Sequence, residues 1–134
     1  MNTFPLSVAT PDRNVYKGEA TSLRVKTVDG DIEILAKHSD LIAAVGTGGA
    51  RIAFPDGVSR PAACSGGLLT VKGGEVKLLA TTFEYSDEID LERARRAREK
   101  AEAAIKVAKD ENEIKLLKAK LYRAAARISA AGKK

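Results

Sequence analysis

Three arginines are spaced so that a helical hairpin would bring them together. Arg123 and Arg127 are four residues apart and therefore share one face of a helix. If the chain turns near residue 110 or 111, Arg93 falls level with Arg127 on an antiparallel partner helix. Guanidinium groups and the free amides of a helix N-terminus both bind phosphate. The spacing indicates either an anion site or basic residues that are solvated or paired with Asp90 and Glu92.

The other residues that could do chemistry lack partners. His38 is followed by Ser39 and Asp40, but a catalytic triad is assembled across space, so this adjacency favours a loop histidine with a structural hydrogen bond. Cys64 is the single cysteine, and with only one histidine in the chain it is interpreted as a small strand residue. No internal disulfide and no four-ligand zinc site of His and Cys can form. We therefore expect neither a metal site nor an independent enzyme.

A glycine cluster at Gly46-Thr47-Gly48-Gly49 could suggest a phosphate-binding loop. It lacks the Gly-Lys-Ser/Thr ending of a P-loop, and no helical pattern follows it as in a dinucleotide fingerprint. The cluster is interpreted as a connection between strands.

Charge divides the chain of 134 residues into two parts. Residues 1–88 hold 9 Lys/Arg and 11 Asp/Glu, whereas residues 89–134 hold 14 Lys/Arg and 7 Asp/Glu. The net charge of +5 therefore comes from the C-terminal part. Such a basic segment allows nucleic-acid binding, but Tyr122 is its one aromatic residue, acidic residues are scattered through it and no groove-reading motif is present. We expect no nucleic-acid partner.

The N-terminal part has the pattern of a β-protein. Alternating apolar and polar residues from Leu6 to Ala80, separated by turn residues, predict roughly eight to ten short strands in a sandwich or flattened barrel. Pro55-Asp56-Gly57 and Gly73-Gly74 stand between such runs and indicate hairpin turns. The N-terminus has no basic leader and no apolar run, and the chain has no stretch of ~20 apolar residues, so we expect neither export nor a membrane span.

The C-terminal part has the period of a helix up to about Ala130, with a turn at Lys109–Asn112. Two antiparallel helices of ~18 to 20 residues fit, the first capped by Ser86 or Asp87. An alanine seam would face an Ile/Leu seam: Ala94, Ala97, Ala101, Ala104, Ile105 and Ala108 against Ile114, Leu117, Leu121, Ala124 and Ile128. Because alanine buries little apolar area, we expect a weakly held hairpin that can detach.

The chain resembles the epsilon subunit of F-type ATP synthases over nearly its whole length. The residues that carry the resemblance are Leu6–Arg13, Gly30–Leu35, His38 with Leu41, Arg51-Ile52, Gly66-Gly67 and Ile89–Ala94. The last is the most specific, because it looks like the family's nucleotide motif of Ile or Leu, Asp, two free positions, Arg and Ala. Three positions depart from the family: Lys37 and Glu33 stand where Gly is common, and Asp40 where Pro is usual.

The resemblance implies a ten-stranded β-sandwich in residues 1–86 and a two-helix regulatory hairpin in residues 87–134. It implies a non-catalytic rotor subunit of a proton-driven ATP synthase, on the cytoplasmic side of the bacterial inner membrane and attached to the membrane only through the complex. The implied partners are the gamma subunit and the c-ring for the sandwich, and the beta and alpha subunits for the hairpin, which restrains ATP hydrolysis when extended. No cofactor is required.

The family's functional residues can be carried over position by position. Where family members bind regulatory ATP, the matching residues here are Glu84, Asp90, Arg93, Ala94, Lys100, Arg123 and Arg127. His38 and Leu41 are the candidates for contact with neighbouring subunits.

Overall fold

The computed structural model describes residues 2–131, in which a β-domain precedes two helices. The strands are β1 (Phe4–Ala9), β2 (Asn14–Ala20), β3 (Ser22–Thr27), β4 (Gly30–Leu35), β5 (Leu41–Ala44), β6 (Gly48–Ala53), β7 (Ser59–Lys72) and β8 (Glu75–Tyr85). The helices are α1 (Leu91–Val107) and α2 (Glu111–Ala131). No helix within residues 2–131 is long and apolar enough to cross a membrane.

The strands form two layers because β7 and β8 are long enough to run through both. The first layer has the order β2-β1-β8-β7-β5 and uses the N-terminal half of β8 and the C-terminal half of β7. The second layer has the order β8-β7-β6-β3-β4 and uses the other two halves. Eight strands thus supply five strand segments to each layer. The predicted sandwich followed by a helical hairpin is confirmed.

β7 passes from one layer to the other at Gly66 and Gly67. Both have positive φ, +67° and +117°, which L-residues with a side chain rarely adopt. A Cβ on Gly67 would lie 2.0 Å from the carbonyl oxygen of Leu79, so the two strands approach closely only because this residue is glycine. The connection before β6 supports the bend, since the Val45 amide donates to the Gly67 carbonyl at 3.0 Å.

One hydrophobic core lies between the layers. Inward-facing residues alternate along the strands and are almost fully buried, as the periodicity predicts. The largest are Leu6, Leu69 and Leu78 from the first layer and Leu23, Ile34 and Ile52 from the second. The turns at Pro55-Asp56-Gly57 and Gly73-Gly74 connect β6 to β7 and β7 to β8, and Gly46-Thr47 connects β5 to β6, as expected.

The connection between β4 and β5 contains a strained residue. Lys37 has φ +66° and is the one non-glycine residue with positive φ among residues 2–131. The left-handed conformation costs a residue with a Cβ roughly 1–2 kcal/mol. This strain explains in physical terms why glycine suits the position.

Replacing Lys37 with Gly should therefore stabilise the sandwich. We expect a gain of about 0.5–1 kcal/mol, because removal of the left-handed penalty is partly offset by the greater backbone entropy of glycine in the unfolded chain. Urea denaturation followed by circular dichroism measures the change. Lys37→Ala removes the side chain but keeps the strain and should leave stability nearly unchanged; equal stabilisation by Ala would refute the explanation.

The start of α1 corrects the predicted cap. Ser86–Glu88 form a 3-10 turn instead, and Ile89 is extended, with its side chain 7% exposed. Burial of Ile89 prevents the helix from beginning at Ser86 or Asp87. Asp90 is the cap, and its Oδ1 accepts a hydrogen bond from the Arg93 amide at 3.1 Å. The turn between the helices is also slightly shorter than predicted, since α2 begins at Glu111.

The hairpin rests on the sandwich through a small apolar contact, which we call the docking cluster. Its buried members are Ala63 on β7, Ile89 before α1, and Ala130 and Ala131 at the end of α2. Ala63 pairs with Gly49 of β6, so the sheet surface beneath α2 is made of small side chains. Apart from Ile89 these residues bury little apolar area, so the docking cluster contributes only modest stability.

Candidate functional site

A cleft of about 740 Å³ separates the hairpin from the sandwich. One wall is formed by the sides of α1 and α2 that face the sandwich. The other wall includes the end of β8 and the connection between β1 and β2. Five of the seven residues assigned to nucleotide binding line it: Glu84, Arg93, Lys100, Arg123 and Arg127. The fold therefore brings together residues that are up to 43 positions apart in the chain.

The remaining two assigned residues shape the wall. Asp90 holds the first turn of α1 through its hydrogen bond to the Arg93 amide. Ala94 is fully buried on α1 and has no polar side-chain atom to offer a ligand. Both positions therefore fix where Arg93 projects.

A bidentate ion pair joins the two walls. Arg127 donates from Nε to Glu84 Oε1 at 2.7 Å and from Nη2 to Oε2 at 3.3 Å. Both side chains are about 30% exposed, 28% for Arg127 and 30% for Glu84. Such paired hydrogen bonds fix orientation as well as distance. The pair is thus a directed polar contact between the hairpin and the sandwich.

Within the part of the chain that the structure describes, four of the other cations of the cleft have no ion pair, whereas Arg13 lies 3.9 Å from Glu88. Within residues 2–131, no carboxylate lies within 4.0 Å of a charged nitrogen of Arg93, Lys100, Lys120 or Arg123. The predicted alternative, in which the arginines pair with Asp90 and Glu92, is not observed. Glu92 instead lies 3.9 Å from Arg95, and Asp90 accepts a hydrogen bond from the Arg93 amide. Four unneutralised cations facing one cleft favour binding of a multiply charged anion.

Several lining residues were missed by sequence reasoning. Hydroxyl groups form part of the sandwich wall, and Ser65 Oγ and Thr82 Oγ1 lie 2.5 Å apart. Arg13 and Lys120 also line the cleft. Ala97 was assigned to the contact between the helices but is exposed on the cleft side of α1. Hairpin register could have identified Lys120, whereas the sandwich residues required knowledge of how the hairpin docks.

Cys64 lies beside the cleft but is not a nucleophile. Its side chain is 2% exposed on β7, and burial raises the pKa of its thiol to about 12. Because the thiolate is the reactive form, the group is inert near neutral pH. This placement supports the interpretation of Cys64 as a small strand residue.

His38 lies in the connection between β4 and β5, and Leu41 is the first residue of β5. His38 Nδ1 lies 2.8 Å from the Ser39 carbonyl oxygen, the structural hydrogen bond that was expected. Leu41 is half-buried and packs against the core, whereas its neighbour Ile42 points outward and is 76% exposed. Ile42 joins Leu68 and Leu79, a directly paired couple on β7 and β8, on an apolar outer face of the first layer.

The junction between the two parts is held by Arg60. Its Nη2 donates to both carboxylate oxygens of Asp87, at 2.9 and 3.1 Å, and its guanidinium lies 3.6 Å above the centre of the Tyr85 ring. Burial raises the pKa of the Tyr85 hydroxyl, and the charge of Arg60 opposes that shift. The residues preceding Ile89 are thus fixed to the sandwich.

Comparison with solved structures shows where this architecture occurs. The chain superposes on a chain of the Euglena gracilis mitochondrial ATP synthase, in a structure of its OSCP, F1 and c-ring, with a TM-score of 0.83 at 21% identity over 96% of this chain and 81% of that chain. A chain in the central stalk and c-ring structure of Tetrahymena thermophila gives a TM-score of 0.66 at 16% identity, covering 95% of each chain. At these identities the likeness is one of fold.

Sequence comparison is more specific. Residues 3–86 match the model of the ATP synthase delta/epsilon chain beta-sandwich domain, and residues 87–132 match that of its long alpha-helix domain. The ATP synthase epsilon chain of Halalkalibacterium halodurans is 39% identical over 99% of this chain and 100% of its own length. That of Caldicellulosiruptor bescii is 37% identical over 98% and 95%. The chain belongs to the ATP synthase epsilon chain family, whose members are non-catalytic stalk subunits of that complex.

Proposed function

We propose that this subunit regulates its ATP synthase through the hairpin, which ATP bound in the cleft holds against the sandwich. One observation carries the proposal: the free cations lie on the hairpin wall of a cleft whose other wall is the sandwich. A ligand that fills the cleft therefore contacts both parts and is lost when they separate. This is the arrangement that makes a ligand select the compact state.

The phosphates of ATP would be held by Arg93, Lys100 and Arg123. Glu84 keeps Arg127 oriented at the cleft through the bidentate pair. In the absence of the nucleotide these cations repel one another across the hairpin, so the anion also relieves an unfavourable electrostatic interaction.

The energies are of the size that a switch requires. The docking cluster is small, so the free-energy difference between docked and released hairpin is small. A ligand at 100 times its dissociation constant stabilises the state that binds it by about 2.7 kcal/mol. ATP at that level would shift the hairpin strongly towards the docked position, and low ATP would release it to restrain hydrolysis.

The sandwich supplies the attachment to the rotor. The apolar outer face of Ile42, Leu68 and Leu79 is an unusual feature of a solvent-facing sheet and suits contact with the gamma subunit, with His38 and Leu41 at its border. The c-ring would contact the same domain, and the basic outer sides of α1 and α2 would meet the beta and alpha subunits once the hairpin is released. These partners correspond to a rotor subunit of a proton-driven ATP synthase on the cytoplasmic side of the bacterial inner membrane, with the boundary between the two domains at residues 86 and 87.

Arg93→Ala tests the site directly. Calorimetric titration of the full chain with ATP, with and without magnesium, should show binding in the micromolar to millimolar range that the variant weakens by about 10-fold or more, since a charge-assisted contact contributes roughly 1.5–3 kcal/mol. Arg96→Ala is the matched control, because Arg96 is an exposed arginine of α1 outside the cleft.

Amide hydrogen exchange connects binding with the switch. ATP should slow exchange in α1 and α2 of the wild-type chain and of the Arg96 variant but have little effect on the Arg93 variant. Absence of binding up to several millimolar would refute the ATP proposal and assign Arg93, Arg123 and Arg127 to contacts with partner subunits.

A further inference from the structure

The cleft side of the hairpin is organised in levels. α1 ends at Val107 and α2 begins at Glu111, and counting back from this turn places three pairs of cleft-lining residues at about the same height along the two helices: Arg93 with Arg127, Ala97 with Arg123, and Lys100 with Lys120. At 1.5 Å per residue, the lysine level lies about 10.5 Å along the hairpin from the Arg93 level. We call Lys100 and Lys120 the lysine level.

The lysine level is the less neutralised end of the cleft. The Arg93–Arg127 level includes the carboxylate of Glu84, which pairs with Arg127. Within the described residues, neither Lys100 nor Lys120 has a carboxylate within 4.0 Å. Within the cleft, the positive potential should therefore be stronger at the lysine level than at the Arg93–Arg127 level.

We infer that Lys120, a residue outside the nucleotide motif, binds the terminal phosphate of the nucleotide together with Lys100 and makes the site select for the length of the phosphate chain. The inference rests on the proposed function. The terminal phosphate carries the most negative charge and would occupy the end with the least neutralised cations. A monophosphate held at the Arg93 level would not reach the lysine level.

Titrations of the full chain and of Lys120→Gln with ATP, ADP, AMP and inorganic tripolyphosphate test this inference. The substitution should lower the affinity for ATP and for tripolyphosphate about five- to tenfold, because one close charge pair near a solvated surface is lost. The affinity for AMP should change less than twofold. Lys118→Gln removes a lysine of α2 that lies outside the cleft and should leave all four ligands unaffected. Circular dichroism establishes that both variants keep the helical content of the wild type.

Each outcome separates the two proposals. In one outcome, ATP binds to the wild-type chain while Lys120→Gln lowers the affinities for ATP and AMP equally, or lowers neither affinity. Either result would refute the role of Lys120 and leave nucleotide binding standing. If tripolyphosphate binds through Lys120 but ATP does not bind, the lysine level is an anion site and the nucleotide proposal fails. If the wild-type chain binds neither ligand, both proposals are overturned.

Discussion

Gly67→Ala is expected to unfold the sandwich or to destabilise it by more than about 3 kcal/mol, because the change combines a backbone clash with a forbidden conformation. The new Cβ would lie 2.0 Å from the Leu79 carbonyl oxygen and 2.8 Å from the Ala80 Cα, both backbone atoms that cannot move independently. Relief of the clash would separate β7 from β8 at the point where both change layers. Urea denaturation measures the loss.

Gly73→Ala is the matched control. Gly73 also has positive φ, +58°, but a Cβ there would have no atom within 4 Å. We expect only the left-handed penalty of roughly 1–2 kcal/mol. If the two variants lost the same stability, backbone conformation alone would explain Gly67 and the close approach of β7 and β8 would be unimportant.

Ala130→Glu is expected to release the hairpin while the sandwich stays folded. Ala130 is 2% exposed in the docking cluster, and a carboxylate there would lose its hydration without gaining a partner, which costs several kcal/mol. Undocking avoids that cost. Amide hydrogen exchange should become fast throughout α1 and α2 and remain slow in the strands, and ATP affinity should fall because the two walls of the cleft separate.

Ala125→Glu provides the comparison for this prediction. It introduces the same charge into α2 at an exposed position and should leave the exchange pattern of the hairpin unchanged. Fast exchange in both variants would mean that the helix itself, and not its docking, is affected. Protected helices in Ala130→Glu would show that the docking cluster does not hold the hairpin.

The sequence was sufficient for those features that depend on local pattern. Alternation along the strands identified inward residues such as Leu23 and Ile52. Helical spacing brought Arg93, Arg123 and Arg127 together, and all three line one cleft. The helix start was wrong because Ile89 is held extended by burial against Ala63, a residue 26 positions earlier whose contact no local pattern reveals. Ser65-Gly66-Gly67 has the composition of a turn between two strands, which is what the sequence predicted, but β7 continues through it and keeps its pairing with β8 on both sides.

The site was predictable to the extent that it lies on the hairpin. Helical spacing alone brought Arg93, Arg123 and Arg127 together, whereas Lys100 came from the family resemblance and Lys120 was not identified. Glu84 came from the family resemblance, and its pairing with Arg127 depends on how the hairpin sits against β8. Arg13, Ser65 and Thr82 enter the cleft only through that docking, which is set by contacts distant in sequence.

The two long strands have a mechanical consequence. Because β7 and β8 belong to both layers, load applied to one layer reaches the other along two continuous backbones that are hydrogen-bonded to each other over most of their length. If one layer slid over the other, these two backbones would have to stretch, or the pairing register between β7 and β8 would have to break. In a sandwich whose layers were joined only by loops, the same motion would deform only those loops. The sandwich is therefore stiff in shear, whereas the hairpin, which is attached through the docking cluster and the Arg127–Glu84 pair, is the more compliant part of the chain.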